Sequence, residues 1–241
     1  MAKLPARPRA VRSASVLLAE RTWLDLADAA PPLVCVPIGS CEQHGPHLPL
    51  GTDTLIAEAL ATELARRRPD TVVGPTLTVT ASGEHAGFPG TLSIGTGATA
   101  DVIVELVRSA DWSGGVVLVN GHGGNRDAVD RAVATLTAED RRVLPWWPHV
   151  PDGDAHAGRT ETSLVLAVRP DLVRRERAEA GATEPFAALA GQLRADGVRA
   201  VSPNGVLGDP RPATGDEGHE LLARLSEQLV AAVDAWRGEW A

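Results

Sequence analysis

Short apolar runs alternate with helix-length segments along most of this 241-residue chain, and that alternation limits the folds open to it. Apolar or β-branched runs predict strands at residues 33–38, 71–80, 115–119 and 142–147. The intervening and following segments predict helices at about 53–68, 98–110, 126–139, 160–168 and 217–236. Strands separated by helices indicate an α/β fold with a mostly parallel sheet covered on both faces. Ligands of such sheets bind beyond the carboxyl ends of the strands.

The composition is that of one globular domain of ordinary size. Hydrophobic residues make up 44% of the chain and charged residues 22%, which is enough for a full core. We expect residues 1–20, rich in Pro, Arg and Ala, to be a loosely held lead-in, and residues 21–241 to form a single domain. The net charge is -8 and no stripe of Lys and Arg is present, so nucleic acid is not an expected partner.

Neither a membrane nor an oxidising compartment is indicated. The sequence has no run of 18 apolar residues, so no membrane span is expected and a cytoplasmic enzyme is the default. The two cysteines, Cys35 and Cys41, lack the spacing of a CxxC metal or redox pair. We expect both to be reduced, structural thiols.

Ionisable residues crowd directly after the first predicted strand. Glu42 and His44 stand two apart, so in an extended segment they point to the same side, and Asp53 at the start of the next helix can turn back towards them. One imidazole and two carboxylates suit Zn, Mn or Fe. A capping and turn network would explain a lone histidine, but so many polar groups after one strand favour a functional site.

Two further clusters follow the third and fourth predicted strands, at the same edge of the sheet. The glycine-rich loop 120–125 contains His122, a further candidate ligand; its spacing fits neither a dinucleotide fingerprint nor a P-loop, although a phosphate cradle is the alternative. Residues 154–163 contain His156, a candidate general acid, and Glu161, a candidate ligand or base. Acids that cap a helix N-terminus are the alternative explanation for this third cluster.

Two other segments are candidates for contact with a substrate, and a third is a candidate lid or interface. Residues 82–91 are predicted to form a loop that contacts a substrate, and an ordinary tight loop is the alternative. A tryptophan pair after the fourth strand could flank an aromatic end of a substrate, or pack in the core or an interface. The Pro/Gly-rich stretch 198–218 is long for a plain connection, as lids and interfaces often are. The candidate contact residues are Ser82, Glu84, His85, Trp146 and Trp147.

These motifs resemble those of the creatininase (creatinine amidohydrolase) family. The matching segments, in the family's order, are GSCEQHGPHLPL at 39–50, TD at 52–53, GFPGT at 87–91, NGHGGN at 120–125, HAG at 156–158 and ETS at 161–163. They span most of residues 33–165. The resemblance implies a three-layer α/β/α fold, hydrolysis of C–N bonds and a homo-oligomer.

The resemblance also implies a centre of two divalent metal ions per subunit, Fe²⁺ or Zn²⁺ or both, with Mn²⁺ a further option. Its ligands would be Glu42, His44, Asp53 and His122, with Asp53 as the bridge. Creatininase itself has an acid two residues after the histidine that matches His122, where this chain has Gly124. Glu161 is therefore our candidate for the fifth ligand, with the role of general base as the alternative.

A narrower resemblance is to the family members of the mycofactocin system, on residues 154–163 and 197–210. It implies a peptidase that acts on the modified mycofactocin precursor peptide and releases its C-terminal Val-Tyr-derived dipeptide. Hydrolysis of creatinine or of a formamide is the alternative within the family. A non-catalytic metal- or ligand-binding protein is the alternative from another class.

Overall fold

A computed structural model describes residues 15–27 and 29–240. Four strands form one sheet: β1 (Leu33–Ile38), β2 (Thr71–Val73), β3 (Gly115–Asn120) and β4 (Val143–Trp146). The strand order is β2-β1-β3-β4 and every neighbouring pair is parallel, as the alternation of apolar runs and helices predicts. Leu33 pairs with Thr71 on one side and with Gly115 on the other, so the strands begin level with one another.

Eight α-helices surround or extend this sheet among the described residues. They are α1 (Trp23–Ala27), α2 (Thr52–Arg67), α3 (Gly95–Ser109), α4 (Arg126–Ala138), α5 (Arg159–Val168), α6 (Phe186–Asp196), α7 (Val198–Val201) and α8 (Gly215–Gly238). Short 3₁₀ turns lie at Leu18–Glu20, Gly83–His85, Gly123–Asn125, Pro170–Leu172 and Arg175–Arg177. In the part of the chain that is described, no helix is both long and apolar enough to cross a membrane.

The side chains of β1 alternate between two cores, which makes the fold three-layered. Cys35 faces a core formed with α2, α5 and α8, whereas Val34 and Val36 face a second core formed with α3 and α4. Successive residues of a strand point to opposite faces, so a strand buried on both faces is apolar at every position. The expected α/β/α architecture is therefore confirmed.

The second strand is shorter than predicted. The sequence pattern predicts a strand over residues 71–80, but β2 ends at Val73. Pro75 follows two residues later and has no N–H to donate to a ladder, which accounts for the early end. Pairing with β1 resumes only as a single bridge between Ile38 and Leu77, and the chain then leaves the sheet.

The N-terminal prediction is only partly within the described region. Residues 1–14 of the predicted lead-in lie outside it. The residues that follow contact the sheet edge: the N–H of Val73 donates to the carbonyl of Val16 at 2.8 Å, and Leu17 forms a parallel bridge with Val73. This contact covers part of the edge of β2.

Candidate metal centre

The loops after β1 and β3 meet at the carboxyl edge of the sheet. Ile38 and Asn120 are paired at the ends of these strands, and the N–H of Gly121 donates to the carbonyl of Ile38 at 2.8 Å. A Cβ at Gly121 would lie 2.5 Å from the carbonyl oxygen of Asp53, so only glycine permits this approach. The first turn of α2 is thereby held beside both strand ends.

Four buried ionisable side chains converge there: Glu42, His44, Asp53 and His122. His44 Nε2 lies 3.1 Å from Asp53 Oδ1, and His122 Nδ1 lies 3.2 Å from Asp53 Oδ2. His122 Nε2 lies 3.0 Å from Glu42 Oε2. Two ligand atoms bound at about 2.1 Å to one metal lie about 3.0–3.4 Å apart. Glu42, His44 and Asp53 each offer a donor atom within 4.8 Å of the others, and Asp53 faces both imidazoles, one with each oxygen.

Neighbouring hydrogen bonds orient these side chains. Ser40 Oγ donates to Asp53 Oδ2 at 2.7 Å. His44 Nδ1 lies 3.1 Å from a main-chain carbonyl oxygen, which leaves Nε2 facing Asp53. Asn125 Nδ2 donates to the carbonyl of Gly39 at 3.0 Å and ties the two strand-end loops together. Contacts of this kind fix the tautomer and direction of metal-binding histidines.

Glu42 shows that the donor set fits a cation. Its side chain is fully buried, and neither carboxylate oxygen has a hydrogen-bond partner. Burial raises the pKa of Glu42 to about 8, although the positive charge of His122 opposes the shift. The neighbours of this carboxylate are the imidazoles of His85 and His122, 3.2 and 3.0 Å away, and burying a carboxylate costs on the order of several kcal/mol unless positive charge compensates it. Carboxylate oxygens and imidazole nitrogens together suit Zn²⁺, Mn²⁺ or Fe²⁺, which would remove that cost.

The electrostatics of the cluster favour positive charge at its centre. Burial lowers the pKa of His44, but Asp53 outweighs this effect and the pKa rises to about 10. The pKa of His122 also rises to about 10, because Glu42 and Asp53 outweigh the effect of burial. Burial disfavours the ionised form of Asp53, yet the two imidazoles hold the pKa of Asp53 well below its usual value.

Glu161 lies at the His44 side of the cluster, in the first turn of α5. Its Oε2 accepts a hydrogen bond from the N–H of Ala157 at 2.5 Å and lies 3.9 Å from His44 Nε2. Burial raises the pKa of Glu161 to about 7, although the charge of His44 opposes the shift. His44, His156 and Glu161 each present a donor atom within 4.8 Å of the others. The structure thus brings the predicted fifth ligand to the expected place.

His156 lies between two other imidazole rings. The ring centroids of His44 and His85 are 4.3 and 4.6 Å away. His156 Nε2 is 2.9 Å from the carbonyl oxygen of Gln43, whereas Nδ1 faces the cluster, 3.9 Å from Glu42 Oε1. Burial, together with the charge of His44, lowers the pKa of His156 well below its usual value. A neutral ring whose Nε2 donates to a carbonyl presents Nδ1 as a proton acceptor.

Sequence reasoning gave Gln43 no role, and the structure places it at the centre of the polar network. Its Nε2 lies 2.9 Å from His85 Nδ1 and 3.1 Å from His156 Nε2, and it donates to the carbonyl of Gly205 at 3.2 Å. Leu207 forms an antiparallel bridge with His156. Residues 205–207 therefore line one side of the site. The unusual length of the 198–218 stretch was the signal in the sequence for this contribution.

The three loop residues predicted to contact substrate all lie at this cluster. His85 Nε2 is 3.2 Å from Glu42 Oε1, and burial lowers the pKa of His85 to about 3. Glu84 Oε1 is 3.5 Å from His122 Nε2, and its side chain is 33% exposed, so it borders the solvent side. Ser82 is fully buried, and its hydroxyl has no hydrogen-bond partner.

The two predicted tryptophans differ in environment. Trp146 is 8% exposed and packs in the core with α5 and α8, as the packing alternative describes. Trp147 is half-buried, and the guanidinium of Arg126 lies 4.5 Å from the centroid of its ring. Both line a cavity of about 490 Å³ together with Gly123, the neighbour of His122.

Buried carboxylates and imidazoles at the carboxyl edge of a parallel α/β/α sheet define a metal-dependent hydrolase. The sequence pattern of the creatininase family, described as creatinine amidohydrolase, matches residues 19–233. The chain therefore belongs to the creatininase family, whose members hydrolyse amide bonds, and the predicted resemblance is confirmed.

Curated relatives include proteins named for different activities. A mycofactocin precursor peptide peptidase of Mycolicibacterium smegmatis is 48% identical over 213 residues, covering 86% of each chain. A creatinine amidohydrolase of Pseudomonas putida is 31% identical over 264 residues, covering 95% of this chain and 98% of the relative.

Solved creatininases share the fold. A creatininase variant described as the Zn–Zn type has a TM-score of 0.72 at 28% identity and covers 94% of this chain and 98% of its own. A creatininase described with Mn has a TM-score of 0.70 at 28% identity, with coverages of 94% and 99%. Structures of the family thus carry zinc or manganese.

Proposed function

We propose that this protein is a metal-dependent peptidase that cleaves an amide bond of the modified mycofactocin precursor peptide and releases its C-terminal Val-Tyr-derived dipeptide. The observation that carries the proposal is the 48% identity, over 86% of each chain, to the peptidase of that name. Identity to the creatinine amidohydrolase is lower, at 31%.

Two divalent metal ions, Fe²⁺ or Zn²⁺ or both, with Mn²⁺ as a further option, are the proposed cofactors. Glu42, Asp53 and His122 would hold one ion, and His44, Asp53 and Glu161 the other, which follows the two sides of the cluster. When bound, such ions lower the pKa of water towards about 7 and polarise a carbonyl group. Water activation of this kind is what amide hydrolysis at neutral pH requires.

His156 is the proposed carrier of the proton. Its Nδ1 faces the cluster as an acceptor, so it can take the proton from the attacking water and then deliver it to the leaving amine. The contact of Nε2 with the carbonyl of Gln43 keeps the ring in the tautomer that this transfer needs. Glu161, which accepts a hydrogen bond from the N–H of Ala157, is assigned to metal binding rather than to proton transfer.

The aromatic end of the substrate is proposed to occupy the cavity beside Gly123. Trp146 and Trp147 line it, and Arg126 stacks on Trp147, which together present flat surfaces to a phenol ring. Ser82 and His85 border the same cluster from the other side and are proposed to contact the peptide near the cleaved bond.

Assembly into a homo-oligomer is also proposed. Leu50, Leu92 and Ile94 are 38, 57 and 44% exposed, and all three lie in segments that border the cluster. Covering such side chains with a second copy would remove apolar surface from water. Light scattering on the purified protein measures the number of chains, and a monomer at micromolar concentration would contradict this part of the proposal.

The test of function is incubation of the purified, metal-loaded protein with the modified precursor peptide, followed by mass spectrometry of the fragments. We expect one cleavage that releases the modified dipeptide, and about two equivalents of metal per chain after dialysis. Creatinine and a formamide serve as competing substrates. Faster turnover of either would replace the proposed substrate, and a metal-free protein that still hydrolyses the peptide would overturn the mechanism.

A further inference from the structure

A third carboxylate reaches the Glu42–His122 side of the centre. Glu84 Oε1 lies 3.5 Å from His122 Nε2, and Glu42 Oε2 lies 3.0 Å from the same nitrogen. Glu42, Glu84 and His122 each offer a donor atom within 4.8 Å of the others. Glu84 is therefore placed to touch an ion that Glu42 and His122 hold.

The space that this carboxylate occupies exists because residue 124 is glycine. A Cβ at Gly124 would overlap Glu84 Oε1 and His122 Nε2, and it would lie 2.8 Å from the carbonyl oxygen of Ala81. Any side chain at position 124 would thus point into the place that Glu84 fills. The Glu84 carboxylate therefore fills the space that a side chain at position 124 would otherwise occupy.

The turn that carries Glu84 is held from both sides. On the inner side, the N–H of Ala81 donates to Asn125 Oδ1 at 3.2 Å, and Gln43 Nε2 contacts the ring of His85 at 2.9 Å. On the outer side, Gly197 has a φ of 77°, and a Cβ there would lie 2.9 Å from the carbonyl oxygen of Glu84. The backbone position of Glu84 is therefore set by packing, and its side chain extends from this fixed turn towards His122.

We infer that Glu84 is a further metal ligand, bound to the ion on the Glu42–His122 side in the space left by Gly124. Both oxygens of Glu42 are buried without hydrogen-bond partners, which independently indicates a cation at this point. With Glu84, that ion would be held by the carboxylates of Glu42 and Glu84 and by His122 Nε2, which also lies 2.9 Å from the carbonyl oxygen of Ala81. Such a set suits Mn²⁺ or Fe²⁺ better than an all-nitrogen site would. The inference rests on the proposed function, because it concerns the same centre.

The experiment compares the wild-type protein with Glu84→Gln, Glu84→Asp and a control, Glu58→Gln. Glu58 is a partly buried glutamate on α2 that accepts a hydrogen bond from Thr76, so its substitution makes the same chemical change away from the centre. Each protein is stripped of metal, reloaded with Mn²⁺ or Co²⁺ and titrated against a competing chelator. Thermal melting of the metal-free proteins shows whether every variant is folded.

We expect Glu84→Gln to bind one of its two ions at least about 10-fold more weakly, Glu84→Asp to give a smaller loss, and Glu58→Gln to match the wild type. At saturating Co²⁺, the visible absorption spectrum of Glu84→Gln should differ from that of the wild type, because a ligand has been lost. Unchanged affinity for both ions, or weaker binding with an unchanged cobalt spectrum, would overturn the inference. A wild-type protein that holds no metal would instead contradict the proposed function itself.

Discussion

The two halves of the candidate metal centre are built in different ways. The strand-end half, Glu42, His44, Asp53 and His122, lies where β1, β3 and α2 meet, and these side chains are 0 to 4% exposed. The outer half comes from the 81–85 turn (Glu84), the loop before α5 (His156) and the first turn of α5 (Glu161). Glu84 and His156 also contact residues 197–207, far away in the chain.

This difference separates two tasks within one site. The strand-end half is rigid because the sheet register and the core fix it, so it is suited to holding ions. The outer half is assembled from loops, and loops on a rigid scaffold are where proton transfer and substrate choice are usually placed. Substitutions in the first half should remove metal. In the second half, Glu84 and Glu161 are proposed as further ligands, whereas substitution of His156 should remove turnover and leave metal bound.

Asp53→Asn should have the largest effect. Asp53 presents one oxygen to each imidazole, so its substitution removes a charge shared by both ions. We expect at least about a 10³-fold fall in peptide hydrolysis, together with loss of at least one metal equivalent. Elemental analysis after dialysis, beside the activity assay, measures both quantities. Full metal content in this variant would remove the distinction between the halves.

His156→Gln tests the outer half. We expect turnover to fall by about 10²- to 10⁴-fold, the usual range for loss of a proton-transferring group, while both ions remain. The measurement pairs kcat with metal content on the same preparation. If an ion is lost with the imidazole, His156 is itself a ligand, and the boundary between the two halves is misplaced.

The same division explains how much the sequence could predict. His44 and His122 were predictable because each follows an apolar run that forms a parallel strand, and parallel strands end at one edge. The contacts of Glu84 with His122 and of Gln43 with Gly205 were not, because they depend on how segments 38 and 162 residues apart pack together. Local periodicity carries no information about such packing.

Gly205→Ala should give a smaller loss, through Gln43. Gly205 has a φ of 80°, and a Cβ there would overlap the Gln43 amide that contacts His85 and His156. We expect kcat to fall about 10-fold with both ions retained. Displacing Gln43 should shift His156, and a proton-transferring group that is shifted loses only part of its 10²- to 10⁴-fold contribution to the rate.

Gly191→Ala is the matched control for that change. Gly191 lies in α6, and no atom lies within 4 Å of a Cβ built there. This variant should keep wild-type kcat and metal content. Equal losses of kcat in the Gly191 and Gly205 variants would show that residues 205–207 do not act on the site through Gln43.

Trp147→Leu should have the smallest effect, because Trp147 follows β4 and belongs to neither half of the metal centre. The ring stacks with Arg126 beside a cavity next to His122, so its loss should weaken binding of an aromatic substrate end without altering metal or proton transfer. Aromatic stacking contributes about 0.5–1.5 kcal/mol, which predicts a rise in KM of about two- to tenfold at constant kcat.

Trp112→Leu separates this contact from a general effect of losing tryptophan. Trp112 is 43% exposed and precedes β3, so it lies at the opposite edge of the sheet from the metal centre. Its substitution should leave KM unchanged. A KM that rises only in the Trp147 variant, and only for peptides that keep the aromatic end, would place substrate choice beyond the metal centre, in the segment after β4. A fall in kcat with bound metal intact would instead make Trp147 part of the catalytic geometry.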